Sequence, residues 1–294
     1  MIDWSALDAA RRPLAPSVGP FPHGGFLSAW WEHFGSGDLE VTDAGGAAWA
    51  FVTADGCVTA AGAADLVDYR SPLGGDPTDL LASVVGDRGS GTRFSFDSLP
   101  VEAAEAVTKA LEANGVGTTT THFTDSMVLT LDGGDLLDGL DAKQRHEVRR
   151  KQRRFDEALG EALLVDDPTR FEGFVALHRA APGNKGEFMT GDMEGFFRDL
   201  LVLPGARLDC LVTGDDRLVA ASIGFEDADA YYLYNSAYDP AVAEVSPGIV
   251  LLHRLIRRVG ESGRSRFDFL KGTEDYKRRL GAEPRPLFLV EGSL

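Results

Sequence analysis

The most constraining part of the sequence is a run of three closely spaced apolar segments that ends in a helical pattern. ARLDCLVTG, RLVAASIGFED and AYYLYNSAYDP have the composition of strands, and the GDD turn joins the first two in a hairpin. SPGIVLLHRLIRRVGESG then has apolar residues at helical spacing, and RFDFL follows as another strand. A strand that returns through a helix runs parallel to its predecessor. This order predicts a mixed, mostly antiparallel sheet flanked by helices.

Strands and helices also alternate through the rest of the chain, so both halves have the α/β (α+β) pattern. In the first half the predicted elements are a helix over 25–35, a hairpin turning at Asp55-Gly56, a helix over 77–85, a strand over 93–99, a helix from Pro100 to Asn114-Gly115, and two strands, TTTTHF and SMVLTL. In the second half they are a basic helix, a strand EALLVDD, a helix starting at Pro168, a helix over 190–203, a short helix TEDYKRRLG and a strand PLFLV. The length of 294 residues suggests two domains, which we place at 1–139 and 140–294.

The charge is distributed unevenly along the chain. There are 46 acidic and 29 basic residues, a net charge of −17. The first 140 residues contain 20 acidic and 6 basic side chains, whereas residues 141–294 contain 26 and 23. General binding of nucleic acid, which depends on basic residues that displace counterions, is therefore not expected. The second half has enough basic residues for a local patch that binds a phosphate-bearing ligand.

The two cysteines, Cys57 and Cys210, follow the period of strands, so we predict buried free thiols in a reducing cytoplasm. Two cysteines are too few for a disulfide scaffold or a cysteine zinc site, and the six histidines have no metal-like grouping. No apolar stretch approaches the roughly 18 residues of a membrane span. The N-terminus has no apolar segment typical of a secretory signal. These features predict a cytoplasmic protein without a metal.

The segment around Ser246-Pro247-Gly248 is a candidate phosphate site. Ser246 fits the N-cap position and Pro247 the first helical position. Because Gly248 has no side chain, a ligand can approach the N–H groups of the first turn, whose partial positive charge suits a pyrophosphate. The alternative is a well-capped helix with no ligand.

The basic helix is a second candidate site. Its seven basic side chains are Lys143, Arg145, Arg149, Arg150, Lys151, Arg153 and Arg154. Val148, Phe155 and Leu159 lie roughly on one face, so the helix docks with its charges outward. These charges, with Arg149 and Arg150 as substrate-binding candidates, suit a nucleotide-sugar diphosphate, a carboxylate or a cofactor phosphate. The alternative is a solvated face that neutralises the acidic first half.

Several motifs together resemble one protein family. They are LDAKQRHEVRRKQRRF, the LH pair in FVALHRAA, YYLYNSAYDP followed by SPGIVLLHRLI, and FDFLKGTEDYKRRLG, which is the most specific. In order and spacing they resemble the Gcn5-related N-acetyltransferase (GNAT) superfamily, in its BioF2-like branch that includes CelD-type proteins and is related to the FemABX peptidyltransferases. The resemblance extends over about residues 25–290 and is stronger in the second half. It implies two tandem GNAT-like domains, of which the second binds the acyl donor, with the acceptor in the cleft between them.

The resemblance also assigns residues to the donor, acetyl-CoA or another acyl-CoA. The pantetheine would lie along Tyr234–Asp239, and the pyrophosphate would meet the turn before the apolar helix. The implied cofactor-binding residues are Asn235, Ser236, Ala237, Ser246, Pro247, Gly248 and Ile249. The turn has one glycine where GNAT proteins usually have a Gln/Arg-x-x-Gly-x-Gly/Ala loop, so the FemABX donor, aminoacyl-tRNA, is an alternative. The sequence has no coiled-coil arm for tRNA, which favours the thioester.

Catalytic roles follow from the same motifs. Asp239 and Glu226, each at a strand end, are candidates for the base that deprotonates the amine; for Asp239 the alternative is a turn residue before Pro240. Tyr238 or Tyr276 would protonate the leaving thiolate.

Lys277 matches the lysine of the FemABX phenylalanine-lysine motif, with Tyr276 in place of the phenylalanine, and would stabilise an oxyanion. The alternative for Glu274 and Lys277 is a surface ion pair. Lys271, Glu274 and His178 are assigned to the substrate; for His178 the alternative is a core histidine.

We therefore predict an N-acyltransferase that moves an acyl group from an acyl-CoA to the primary amine of a small molecule or peptide. Two alternatives remain open. The first is an aminoacyl-tRNA-dependent transferase acting on a peptide or cell-wall precursor, the one case in which tRNA would be a partner. The second is a non-catalytic binding or scaffold protein with a degenerate GNAT fold.

Overall fold

The computed structural model describes residues 2–8, 10–89, 91–133 and 139–294, with Lys185 in its backbone alone. The chain divides into one unit of Met1–Ser126 with Pro284–Leu294 and a second unit of Met127–Glu283. This division differs from the partition at residue 139, which remains a prediction. The difference arises because the last strand pairs within the first unit, a long-range contact that no local pattern indicates.

The first unit is a sheet with three helices in its described part. Its elements are α1 (Gly24–Phe34), β1 (Asp38–Ala44), β2 (Ala47–Ala54), β3 (Cys57–Ala60), β4 (Leu73–Gly74), α2 (Thr78–Gly86), β5 (Arg93–Pro100), α3 (Val101–Ala113), most of β6 (Thr118–Thr130), and β12 (Glu283–Ser293). The strand order is β1-β2-β3-β5-β12. These pairs are antiparallel except β3–β5, which is parallel. A single strand, β6, replaces the two predicted from TTTTHF and SMVLTL, because the linking Thr124 and Asp125 include no glycine or proline to interrupt the strand.

The predicted hairpin turn in this unit is confirmed. Ala54 pairs with Cys57 across the two-residue turn. Asp55 and Gly56 have φ values of 50° and 68°, as a type I′ turn requires. Cys57 is half-buried rather than buried, because it opens a strand at this turn.

The second unit contains the predicted meander and crossover. Its elements are α4 (Ala142–Leu159), β7 (Ala162–Asp166), α5 (Phe171–Ala180), α6 (Asn184–Glu187), α7 (Gly191–Leu200), β8 (Ala206–Thr213), β9 (Leu218–Glu226), β10 (Ala230–Tyr238), α8 (Pro247–Glu261), β11 (Arg266–Lys271) and α9 (Asp275–Arg279). The strand order is β7-β8-β9-β10-β11. β10 and β11 are parallel and the other neighbours antiparallel, as predicted. The mixed α/β class with mostly antiparallel pairing is thus confirmed.

Helices cover both faces of this second sheet. Leu233 of β10 packs in a core with Leu252 and Leu255 of α8. The next residue, Tyr234, points the other way, and its ring centroid lies 5.8 Å from that of Phe197 in α7. Side chains alternate along a strand, so α8 lies on one face and α7 on the other. Within the described residues, no helix combines the length and apolar character needed to cross a bilayer.

The basic helix docks as its pattern predicts. Val148 and Phe155 are buried, and most of the charged side chains of α4 remain at least partly exposed. Phe155 packs in a core with Val250 and Leu251 of α8. Asp141 caps the helix through the Gln144 N–H, and the Gln144 side chain accepts in return from the Asp141 N–H, which forms a capping box.

Candidate functional site

The parallel strands β10 and β11 part early. Their pairing begins at Ala230↔Arg266 and ends at Tyr232↔Asp268. From residue 233 onward the described pairing of β10 is with β9 alone. The backbone of residues 233–238 is therefore open to a ligand on the side of β11, and the predicted Asn235, Ser236 and Ala237 lie in this open segment.

A β-bulge lies where the two strands part. Leu233 pairs with Gly224 and Asn235 with Ile223, so Tyr234 is an extra residue in β10. An extra residue reverses which face the following side chains occupy. Asn235 accordingly points to α5, on the same face as Tyr234, and Tyr238 points to the first turn of α8.

The first turn of α8 follows the prediction in position but not in its capping. Pro247 is the first helical residue, and Ser246 precedes it with a left-handed backbone (φ 56°, ψ 51°) and no side-chain capping bond. The Ile249 N–H donates to the Ser246 carbonyl at 3.0 Å. Within the described part of the chain, the Gly248 N–H has no hydrogen-bond acceptor.

The sequence predicted open space beside Gly248, but the structure fills this space. A Cβ at Gly248 would lie 3.2 Å from the Tyr238 Cδ1 atom. The tyrosine ring therefore packs where a side chain at position 248 would be, and glycine at this position permits the close contact. A ligand reaching the Gly248 N–H would lie beside the Tyr238 ring.

A cavity of about 610 Å³ adjoins this turn. It is lined by Asp141, Lys143, Gln144, His146, Glu147, Val148, Lys151, Ile249, Tyr276, Arg279 and Leu280. It brings the predicted residues Ile249 and Tyr276 together with basic side chains of α4 and α9. Arg149 instead lines a shallower groove between α4 and α8, and Arg150 is held by Glu147, with N–O distances of 2.8 Å.

Tyr276 lines this cavity and is half-buried. Burial, and to a lesser degree the charge of Glu274, raise its pKa to about 12. Its ring packs against Phe269 of β11, with centroids 6.3 Å apart. The phenol is therefore protonated at neutral pH.

Lys277 is buried, with 3% of its surface exposed. Its Nζ donates to the carbonyl oxygens of Leu270 (3.3 Å), Lys271 (2.7 Å) and Gly272 (3.1 Å) and lies 3.0 Å from the Glu274 carboxylate. An ammonium has three protons, so these partners saturate it. The predicted ion pair with Glu274 is therefore present, but its lysine is buried and also holds three carbonyl groups. This geometry favours a structural role, and the oxyanion role remains a prediction.

Asp239 also has structural partners. Its carboxylate accepts from the Ala241 N–H at 2.9 Å and pairs with Arg217. Burial alone would raise its pKa, but the bonds from Arg217 and Ala241 outweigh this and lower it. This geometry favours the turn role over that of a base.

Glu226 lies at the other end of β9 from Ala220, the partner of Tyr238. It pairs with Arg258 at 2.6 Å and Arg264 at 2.9 Å. It is therefore remote from the open part of β10.

His178 and Asn235 are brought together by the fold. His178 Nε2 lies 2.6 Å from Asn235 Oδ1. The sequence assigned these residues separately to substrate and donor, because the contact spans 57 positions and depends on the bulge. Among the described residues, no group of three or more His, Cys, Asp and Glu side chains is arranged to hold a metal ion.

Comparisons with known proteins identify a similar domain family within the second unit. Residues 142–278 match the family model described as an acetyltransferase (GNAT) domain. A comparison with curated proteins found no significant match. Because the similar solved structures described next are 10–14% identical to this chain, they show a shared fold.

Three such structures are similar over nearly the whole chain. A conserved protein of unknown function from Bacteroides thetaiotaomicron has a TM-score of 0.71 at 12% identity, covering 99% of this chain and 97% of its own. The crystal structure of FemX has a TM-score of 0.62 at 10% identity, covering 98% and 96%. The C-terminal domain of a putative lysylphosphatidylglycerol synthetase from Agrobacterium fabrum has a TM-score of 0.60 at 14% identity, covering 90% and 87%.

Proposed function

We propose, on the premise that residues 142–278 form a GNAT acetyltransferase domain, that this protein is an N-acyltransferase. It moves an acyl group from an acyl-CoA to a primary amine. The observation that carries the proposal is the early parting of β10 and β11, together with a cavity at the first turn of α8 whose lining includes Lys143, Lys151 and Arg279. An open strand edge suits the amide groups of pantetheine, and basic side chains suit phosphates.

The donor would be held by an open strand edge, a helix N-terminus and basic side chains. The open edge at Asn235, Ser236 and Ala237 supports an extended pantetheine. The unpaired Gly248 N–H, at the positive end of α8, supports a pyrophosphate. Lys143 and Lys151 would add positive charge from the wall of the cavity.

The chemistry needs few groups. The amine nitrogen forms a bond to the thioester carbon, the carbon–sulfur bond breaks, and the thiolate takes a proton from Tyr276, whose phenolate then regains a proton from water. The amine loses its proton to water, since Asp239 is held by Arg217 and Ala241. Lys277 shapes the turn that carries Tyr276. The unpaired thiols Cys57 and Cys210 support a reducing compartment such as the cytoplasm.

The test is a binding experiment with matched variants at Gly248. Gly248→Ala adds the methyl group that meets Tyr238, and Gly248→Glu adds a negative charge as well. At a hundred times Kd, a ligand stabilises the folded state by about 2.7 kcal/mol, or about 5–10 °C in Tm. We expect this shift with acetyl-CoA or a longer acyl-CoA for the wild type and the alanine variant, and its loss in the glutamate variant.

The same experiment addresses the alternatives. No shift with CoA or any acyl-CoA contradicts the proposed donor. Aminoacyl-tRNA, the donor implied by the resemblance to the FemABX peptidyltransferases, would then be tested by adding charged tRNA to the wild type. Binding of acyl-CoA without acetylation of any amine in a broad panel would favour the non-catalytic alternative.

A further inference from the structure

The His178–Asn235 contact is a buried polar pair that the reaction described above does not use. His178 lies in the last turn of α5 and is 1% exposed. Its ring contacts Phe174, with centroids 4.8 Å apart, and Phe188 at 6.2 Å. The imidazole is thus clamped between phenyl rings with Nε2 directed at the strand.

The polarity of this hydrogen bond determines what Asn235 can offer. Because the carboxamide oxygen accepts, His178 Nε2 carries the proton. The contact with His178 is the one hydrogen bond of the Asn235 side chain within the residues that the structure describes. The Asn235 NH₂ group is therefore fixed in orientation and has its donors available.

The bulge determines which side of the sheet receives these donors. α8 and its first turn, which adjoin the cavity, lie on one face. Asn235 lies on the other face with α5 and α7, although it belongs to the open segment of β10. A donor held on the α8 side leaves the α5–α7 side for the incoming amine.

We propose that His178 and Asn235 select the amine acceptor, an inference that rests on the proposed function. His178 is a positioning residue that fixes the carboxamide, and the Asn235 NH₂ donates to an oxygen atom of the acceptor. The preferred acceptors are therefore amines that also carry a carbonyl or carboxylate oxygen close to the amino group.

Two pairs of variants separate recognition from packing. Asn235→Asp still accepts from His178 but cannot donate, whereas Asn235→Leu does neither. His178→Gln keeps an N–H near the Nε2 position, whereas His178→Phe keeps the ring volume without a donor.

The kinetic test compares glycinamide with propylamine, a primary amine of similar size without an oxygen, using acetyl-CoA. We expect the wild type to prefer glycinamide. Asn235→Asp, Asn235→Leu and His178→Phe should raise the KM for glycinamide about tenfold, the effect of one lost hydrogen bond. The KM for propylamine should change by less, so that these variants lose the preference for glycinamide, whereas His178→Gln should retain it. The proposal would be overturned if the wild type had equal KM values for the two amines, or if the variants changed both KM values equally. It would also be overturned if the protein acetylated neither of these amines but did acetylate another amine that has no such oxygen.

A second measurement is independent of activity. In ¹⁵N-histidine-labelled protein, the His178 signals, assigned by their loss in His178→Gln, should show the tautomer protonated at Nε2. A ring protonated at Nδ1 would contradict the hydrogen bond from His178 Nε2 to Asn235, and with it the proposal. If acetyl-CoA does not stabilise the wild type, the proposed function fails, and this spectrum still decides whether His178 holds Asn235.

Discussion

Replacing Lys277 with methionine separates a structural ammonium from a catalytic one. The lysine holds three successive carbonyl groups at the end of β11. Leu270 has a φ of 60° in this turn, a left-handed conformation that is costly for leucine. Methionine has nearly the same length and volume but no donor, so the change removes the hydrogen bonds without leaving a large cavity.

The size of the effect follows from these contacts. A hydrogen bond from a charged group contributes about 1.5–3 kcal/mol, and three such bonds are opposed by several kcal/mol for burying the ammonium. We expect a net loss of about 3 kcal/mol in the free energy of unfolding. At about 2–4 °C per kcal/mol, Tm should fall by about 6–12 °C.

The assay is thermal unfolding followed by circular dichroism, with Lys143→Met as the matched control. Lys143 is exposed on α4, so the free energy of unfolding of Lys143→Met should lie within about 0.5 kcal/mol of the wild-type value. A Lys277→Met protein with wild-type Tm but without acyl transfer would refute the structural reasoning. It would restore the oxyanion role that the FemABX-like motif implies.

Two further predictions concern single side chains. Asp239→Ala should cost about 1 kcal/mol at pH 7 through loss of the bond to the Ala241 N–H. Because the pKa of Asp239 is lowered in the fold, its contribution is present above the unfolded value of about 3.9 and is lost as the pH falls through the folded value. Urea unfolding of both proteins should therefore show a smaller difference at pH 3, and an unchanged difference would contradict the ionic role. Burial raises the pKa of Cys210 to about 12, so Ellman's reagent at pH 8 should label at most Cys57 in the native protein and both thiols in guanidinium. Two equivalents in the native state would show that Cys210 is accessible.

The elements that could be predicted from sequence are those with local signals. Asp55-Gly56 specifies its turn because both positions need a positive φ. Pro247 marks the start of α8 because its ring fixes φ and its missing N–H is not needed there. The parallel return of β11 follows from connection rules that hold for any sequence.

The parts that could not be predicted depend on contacts distant in sequence. YYLYNSAY has no glycine or proline to mark the extra residue, so the bulge at Tyr234 is set by pairing with β9. The His178–Asn235 contact follows from that bulge. Lys277 has a residue type that is usually exposed, and its burial depends on the carbonyl groups that the β11 turn directs inward.

The membership of β12 in the first unit has a consequence for biosynthesis. The sheet of that unit includes β5 paired with β12, whose residues are made only after the whole second unit. At about 5–20 residues per second, the 182 residues (101–282) that separate β5 from β12 take about 10–35 s to translate. During this delay the ribosome-bound nascent chain has β3 to pair with β5 but not β12. A chaperone or a second nascent chain can then pair with the exposed edge of β5.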